Sequence, residues 1–166
     1  MGYAERSIAT SFEDTLVHHL NTRDGWTAYK FGQGLLPEDC RDRLRRYEDG
    51  ARRPSLIRWM PDILAIRDAS NTRPFVALID AKLAGSTPNH AVELSALETA
   101  EIYVDRFFTP TFFVFSDWSV LTPRDIRQRG TPGPEPREEL GSGTPYLLVS
   151  KKHGRPFNEV FPTRPR

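Results

Sequence analysis

Two aspartates and a lysine are the residues best spaced for chemistry. Asp62 precedes the apolar run ILAI (63–66), Asp80 and Lys82 follow the run FVALI (75–79), and the polar stretch RDASNTR joins the two. Short runs rich in branched and aromatic residues, bounded by turn formers, predict a β-hairpin. Side chains alternate faces along a strand, so Asp80 and Lys82 share a face and Ala81 points the other way. A turn centred on Asn71 sets Asp62 opposite Asp80. Facing carboxylates repel and should destabilise a strand pair. A divalent cation is the simplest compensation, and hard oxygen ligands suit Mg²⁺, with Mn²⁺ as its substitute.

Pro61-Asp62, followed by Asp80-Ala81-Lys82 at the end of an apolar strand, resembles the PD-(D/E)XK nuclease superfamily of restriction-endonuclease-like and Holliday-junction-resolvase-like proteins. The resemblance covers residues 10 to 118 or so, and its motif is short. It implies a Mg²⁺-dependent phosphodiesterase, an endonuclease that hydrolyses DNA. Asp62 and Asp80 would hold the metal, with the Ala81 backbone carbonyl as a further ligand. Lys82 would contact the attacking water or the developing charge; the carboxylates beside it raise its pKa, which favours positioning over service as a base. Glu13 is a further candidate, because the first core helix of the superfamily often presents a glutamate to the metal. Two other readings compete: a nuclease fold that grips DNA or a protein without cutting, and a nuclease acting on RNA. The intact Asp62, Asp80 and Lys82 set argues against the first. Nothing in the sequence separates DNA from RNA.

The elements that must position these residues follow from pattern. Phe12, Leu16 and Leu20 recur every four residues and predict a helix over 10–22, with Thr10 and Glu13 as a T-x-x-E capping box. Glu13 thus has a second reading, as a cap. His18 and His19, late on this helix, are read as partly exposed. Asp24-Gly25 stops the helix, and WTAYKFG (26–32) reads as a strand. Pro37, Glu38 and Asp39 open a short polar helix that carries most of the arginines. After the hairpin, Thr87-Pro88 predicts a helix start and a helix to about Phe107, whose N-terminus would offer free N–H groups to a phosphate. Asn89 and Glu93 are the side chains best placed to help there, although capping and solvation of the first turn explain them as well. TPTFFVFSDW (109–118) reads as a strand covered on both faces, TPRDIRQ (122–128) as a short helix capped by Thr122, and PYLLVSKKH (145–153) as a last strand. Phe157, Val160 and Phe161 form a closing apolar clip. Before the last strand, residues 129–145 hold eight Gly or Pro and read as an irregular loop. This order gives an α/β three-layer sandwich, a mixed central sheet flanked by helices, with 1–166 as a single domain.

Net charge is only +1, so the overall balance does not announce nucleic-acid binding. Its distribution says more. Residues 43–58 hold six arginines, among them Arg45, Arg46, Arg52 and Arg53, against Glu48 and Asp49. Lys151 and Lys152 open a second basic stretch near the C-terminus. Arginine's fork suits phosphate oxygens, so these residues are candidates for nucleic-acid backbone contact; a solvated helix face and tail explain them equally well. The single cysteine, Cys40, excludes an intramolecular disulfide, and no Cys/His pair has zinc spacing. There is no signal peptide or long apolar run, so a cytoplasmic location and no membrane association are expected. A double-strand cut needs two sites, and a homodimer is the expected assembly. No base-reading helix is apparent, which favours structure-directed or weakly specific cutting.

Overall fold

Leu16 and Leu20 are fully buried, and with Phe12 they press the first helix, α1 (Tyr3–Asn21), onto a sheet. The computed structural model describes residues 3–48, 56–68, 73–134 and 145–163. Helix α1 starts seven residues before Thr10, because YAERSIA is rich in helix formers and lacks Gly and Pro. Thr10 is therefore interior to the helix, and the expected capping box does not form. Strand β1 (Trp26–Lys30) follows, then a 3-10 turn at Gly32–Leu35 and α2 (Glu38–Glu48). The hairpin is β2 (Ile63–Arg67) and β3 (Phe75–Lys82). The chain continues through β4 (Asn89–Glu93), α3 (Leu94–Phe107), β5 (Thr111–Phe115) and β6 (Ser119–Leu121). It ends with α4 (Pro123–Arg129), β7 (Thr131–Pro132), β8 (Tyr146–Ser150), β9 (Arg155–Pro156) and α5 (Phe157–Val160).

Six strands form the central sheet in the order β1-β2-β3-β5-β6-β9. Only β3 and β5 run parallel, joined by α3 as a crossover; every other pairing is antiparallel. One apolar layer joins α1 and α5 to Ile63, Ala65, Ile79 and Val114; the other joins α3 and α4 to Phe113, Phe115 and Leu121. Full burial of each such side chain contributes about 1.5–3 kcal/mol. The result is the three-layer α/β sandwich with a mixed sheet. Helix α4 begins as its sequence dictates: Thr122 and Asp125 form a reciprocal capping box with Pro123 in the first turn.

Other expectations fail in an instructive way. The helix expected from Pro88 begins only at Leu94, and Asn89 opens a strand paired with Ser150. His90 and Val92 are buried while Ala91 is exposed, the alternation of a strand, and β8 supplies the partner. Asn89 thus loses the helix N-terminus that was to bring it to a phosphate. The expected last strand does not join the main sheet; β4, β8 and β7 make a separate three-stranded sheet. Its C-terminal part, Lys151–His153, is a 3-10 turn. The expected strand over 109–118 ends at Phe115, and its last residues make a tight turn that leads from β5 into β6. Among the described residues no helix is long and apolar enough to cross a membrane.

Candidate active site

The hairpin register sets Ile63 against Ile79 and stops one residue short of Asp62. Three hydrogen bonds then fix Asp62. Its N–H donates to the Ile79 carbonyl at 2.9 Å, and the Phe31 N–H donates to its carbonyl at 2.6 Å. Its side chain reaches across the strand, where Oδ2 accepts from the Ala81 N–H at 2.8 Å. Gly32 makes the approach from β1 feasible. Its φ is +74°, and a Cβ there would lie 2.4 Å from the Pro61 carbonyl oxygen, so no other residue fits.

Asp80 is 6% exposed, and alternation turns it with Lys82 toward the α3 layer while Ile79 and Ala81 pack under α1. The Lys82 ammonium lies 3.0 Å from Asp80 Oδ1 and 3.2 Å from Glu93 Oε2. Both oxygens are buried. Glu93 ends β4 and caps α3, which is why its carboxylate arrives at the C-terminal end of β3. The sequence places it only as a first-turn residue. Its true position depends on the β4–β8 pairing, and the only local signal is the alternation in NHAVE. Glu13, on α1, sits at the sheet end beside β1: Lys30 Nζ is 3.9 Å from its Oε2 and 2.7 Å from Asp14 Oδ1.

The electrostatics are those of crowded carboxylates. Burial, then the neighbouring Asp80, push the Asp62 carboxyl well above the usual carboxylate range. Burial also raises Asp80, against the pull of Lys82, and raises Glu13, against the pull of Lys30. Burial works against the Glu93 charge too, but Lys82 and the residue's own N–H hold its pKa below the usual range. Burial alone would lower Lys82; Asp80, Glu93 and Asp62 together outweigh it and hold the amine firmly protonated.

The donor set suits a hard divalent cation: carboxylate oxygens only, two of them buried against the Lys82 ammonium. Among the described residues no three His, Cys, Asp or Glu side chains are drawn tightly enough together to hold a metal ion as they stand. The ammonium of Lys82 is instead the cation closest to Asp80 and Glu93. A metal would have to take over those oxygens.

The basic candidates are more scattered. Arg52 and Arg53 lie outside the described residues, as do the side chains of Arg45 and Arg46. Lys151 serves the fold: its ammonium donates to the Gly85 carbonyl at 2.7 Å and lies 3.8 Å from Asp117. Lys152 is exposed. His18 is exposed and His19 half-buried, its ring tilted at 55° against Trp118 with 4.6 Å between ring centres.

No protein-family model matches the sequence, and neither does any curated protein. Among solved structures, D212, a nuclease from a fusselovirus, aligns at a TM-score of 0.41 and 10% identity, over 95% of this chain and 83% of that one. Hjc, a Holliday junction resolvase from the archaeal hyperthermophile Archaeoglobus fulgidus, aligns at a TM-score of 0.53 and 13% identity, over 95% of this chain and 98% of that one. At such identity the likeness is one of fold, and across nearly its whole length the chain shares the fold of that resolvase.

Proposed function

We propose that the chain is a metal-dependent endonuclease of the PD-(D/E)XK type, hydrolysing phosphodiester bonds of DNA. One observation carries this reading: Asp62, Asp80, Lys82 and Glu93 converge, with Glu13 near them, at one end of β3, where burial of so many like charges costs stability. A merely structural strand end has no reason to keep that cost. The fold shared with a Holliday junction resolvase agrees with the reading.

Asp62, Asp80, the Ala81 carbonyl and Glu93 would hold Mg²⁺. Such an ion polarises a phosphoryl oxygen, makes a bound water more acidic and stabilises the leaving oxygen. The chain supplies the rest. Lys82 is placed to orient the water and to offer charge to the phosphate as negative charge builds. Asp62 keeps one oxygen on the Ala81 N–H, which ties its carboxylate to the end of β3. Glu13 adds negative charge at the edge of the cluster, with Lys30, held by Asp14, beside it.

The test replaces Asp80 by Asn. A neutral amide is a poorer ligand for a hard cation, so Asp80→Asn is expected to lose both Mn²⁺ binding by calorimetry and Mg²⁺-dependent plasmid cleavage. Plasmid, single-stranded DNA and RNA run in parallel identify the substrate. Unimpaired Mn²⁺ binding or cleavage by the variant would sink the nuclease reading and leave a non-cutting binding module in its place.

A further inference from the structure

Beyond the carboxylate cluster, the C-terminal edge of the sheet carries a second recess. Lys82 stands beside Phe115 in the β3–β5 register, and Ser119 stands beside Pro156 in the β6–β9 register. Continuing the β5–β6 pairing by one residue sets Phe115 against Ser119. The four residues thus form one row, with Ser119 two strand spacings from Lys82, about 10 Å. The turn between β5 and β6 is tied to the site's own strand: the Ser116 N–H donates to the Lys82 carbonyl at 2.9 Å, and its hydroxyl accepts from the Ala84 N–H at 2.9 Å.

Beside this turn opens a cavity of about 510 Å³, whose lining includes Asp117, Trp118, Ser119, Arg155 and Asn158 with His19 and Phe157. Its walls are held. Trp118 has φ +63°, a left-handed conformation that is costly for a bulky residue, and both its backbone groups are bonded. Its ring meets those of Phe12, His19 and Phe157 at 6.0, 4.6 and 5.3 Å. The Ser119 hydroxyl donates to Asp117 Oδ1 at 2.6 Å. With that proton committed, His90 Nε2, 2.7 Å away, must be the donor to Ser119. His90 is itself fully buried, stacked on Phe115. Arg23 grips the Asn158 side-chain oxygen, which leaves the amide nitrogen to donate. Strain, ring packing and a buried polar relay all serve to hold one shape open to solvent.

The lining combines aromatic rings, an exposed arginine, polar groups able to donate and accept, and the Asp117 carboxylate, whose charge is met by Ser119, His90 and Lys151. That combination suits a planar heterocycle joined to a phosphate. We propose that the recess is a subsite for one unpaired nucleotide of the nucleic-acid substrate. The base lies against Trp118 and His19, and Arg155 takes its phosphate. Aromatic stacking is how proteins hold bases that are free of a duplex. The volume exceeds what one nucleotide fills and falls within the usual range of ligand pockets. Two strand spacings from Lys82, the subsite would grip the strand a short distance from the bond to be cut. As a substrate subsite it rests on the nuclease reading, and it directs that activity toward junctions, flaps or single-stranded ends, where an unpaired nucleotide exists.

The test titrates the full chain, without divalent metal, with 2′-deoxyadenosine 5′-monophosphate, and with inorganic phosphate in parallel. The nucleotide is expected to bind and to quench tryptophan fluorescence, and phosphate alone to bind far more weakly. Trp118→Phe should abolish the quenching. Arg155→Ala, at an exposed side chain, should weaken nucleotide binding roughly tenfold. In a cleavage assay the same Arg155→Ala chain should lose preference for a substrate with an unpaired strand over plain duplex. Absence of nucleotide binding, equal binding of phosphate, or indifference to both substitutions would overturn the subsite. If the unaltered chain cuts DNA while these results are negative, the nuclease reading survives and only the subsite falls. If nucleotide binds in the expected way and nothing is cut, the nuclease reading falls, and the recess remains a nucleotide site but not a substrate subsite.

Discussion

Replacing Asp62 by Asn should make the metal-free protein more stable. The amide keeps an oxygen to accept from the Ala81 N–H, so the hydrogen bond and the shape survive while the charge goes. Four carboxylates, from Glu13, Asp62, Asp80 and Glu93, share this end of the sheet with Lys82. For Asp62, burial and the repulsion of Asp80 outweigh the attraction of Lys82, so its charge costs more than it returns. Like charges across a strand pair are worth up to about 1 kcal/mol. A gain of that size raises Tm by about 2–4 °C in a chain of this length. Its dependence on pH is diagnostic. The folded protein holds the Asp62 proton more tightly than the unfolded chain, so the parent gains stability as pH falls through the raised folded pKa toward the unfolded value near 3.8. The advantage of the variant is therefore full above the raised folded pKa, shrinks through that window and vanishes below the unfolded value. Mn²⁺ at about 100 times its Kd should stabilise the parent by about 2.7 kcal/mol and the variant far less, which reverses the order. Thermal melts at pH 7 and pH 4, with and without Mn²⁺, read all of this. A variant less stable than the parent at neutral pH without metal, or a difference independent of pH, would refute the reasoning.

Lys82→Ala should behave in the opposite sense without metal, losing about 3 kcal/mol because the carboxylates lose their shared cation. It should still bind Mn²⁺ by calorimetry, and more tightly than the parent, while cleavage falls by roughly a hundredfold or more; loss of metal binding would contradict its assignment as a non-ligand. Glu13→Gln should lower cleavage roughly tenfold with Tm unchanged or slightly raised, since Glu13 caps no helix end and burial disfavours its charge; a drop in Tm with cleavage per folded molecule intact would assign it to the fold alone. Alanine at Arg45, Arg46, Arg52 and Arg53 together should weaken DNA binding across sequences and flatten its salt dependence by about 0.9 in log–log slope for each phosphate that is no longer neutralised; an unchanged slope would remove the segment from the interface.

The hairpin was legible because its information is local. Alternation put Asp80 and Lys82 on one face and Ala81 on the other, and the apolar runs located both strands. The placement of Asp62 was legible too: the β2–β3 register continued by one residue sets it opposite Asp80, and what the sequence did not foretell is that its side chain also takes the Ala81 N–H. Helix signals near Pro88 misled because they are also turn signals, and what decides the state of 89–93 is a partner strand at 146–150. Glu93 went astray with them. The recess at Trp118 was hidden for the same reason: α1, the β5–β6 turn and α5 meet there, and no spacing along the chain foretells it.

The charged end of β3 also bears on how the chain finds its pairing. Ile79 and Ala81 lie under α1, while Asp80 and Lys82 face the opposite layer. A slip of one residue against β2 exchanges the two sets, because side chains alternate. It would drive a carboxylate and an ammonium into the layer of Leu16 and Leu20, far from Glu93, and strand Ile79 among acids. Mispaired hairpins are thus penalised on both faces at once. The residues proposed for catalysis double as a register mark, read during folding long before any substrate arrives.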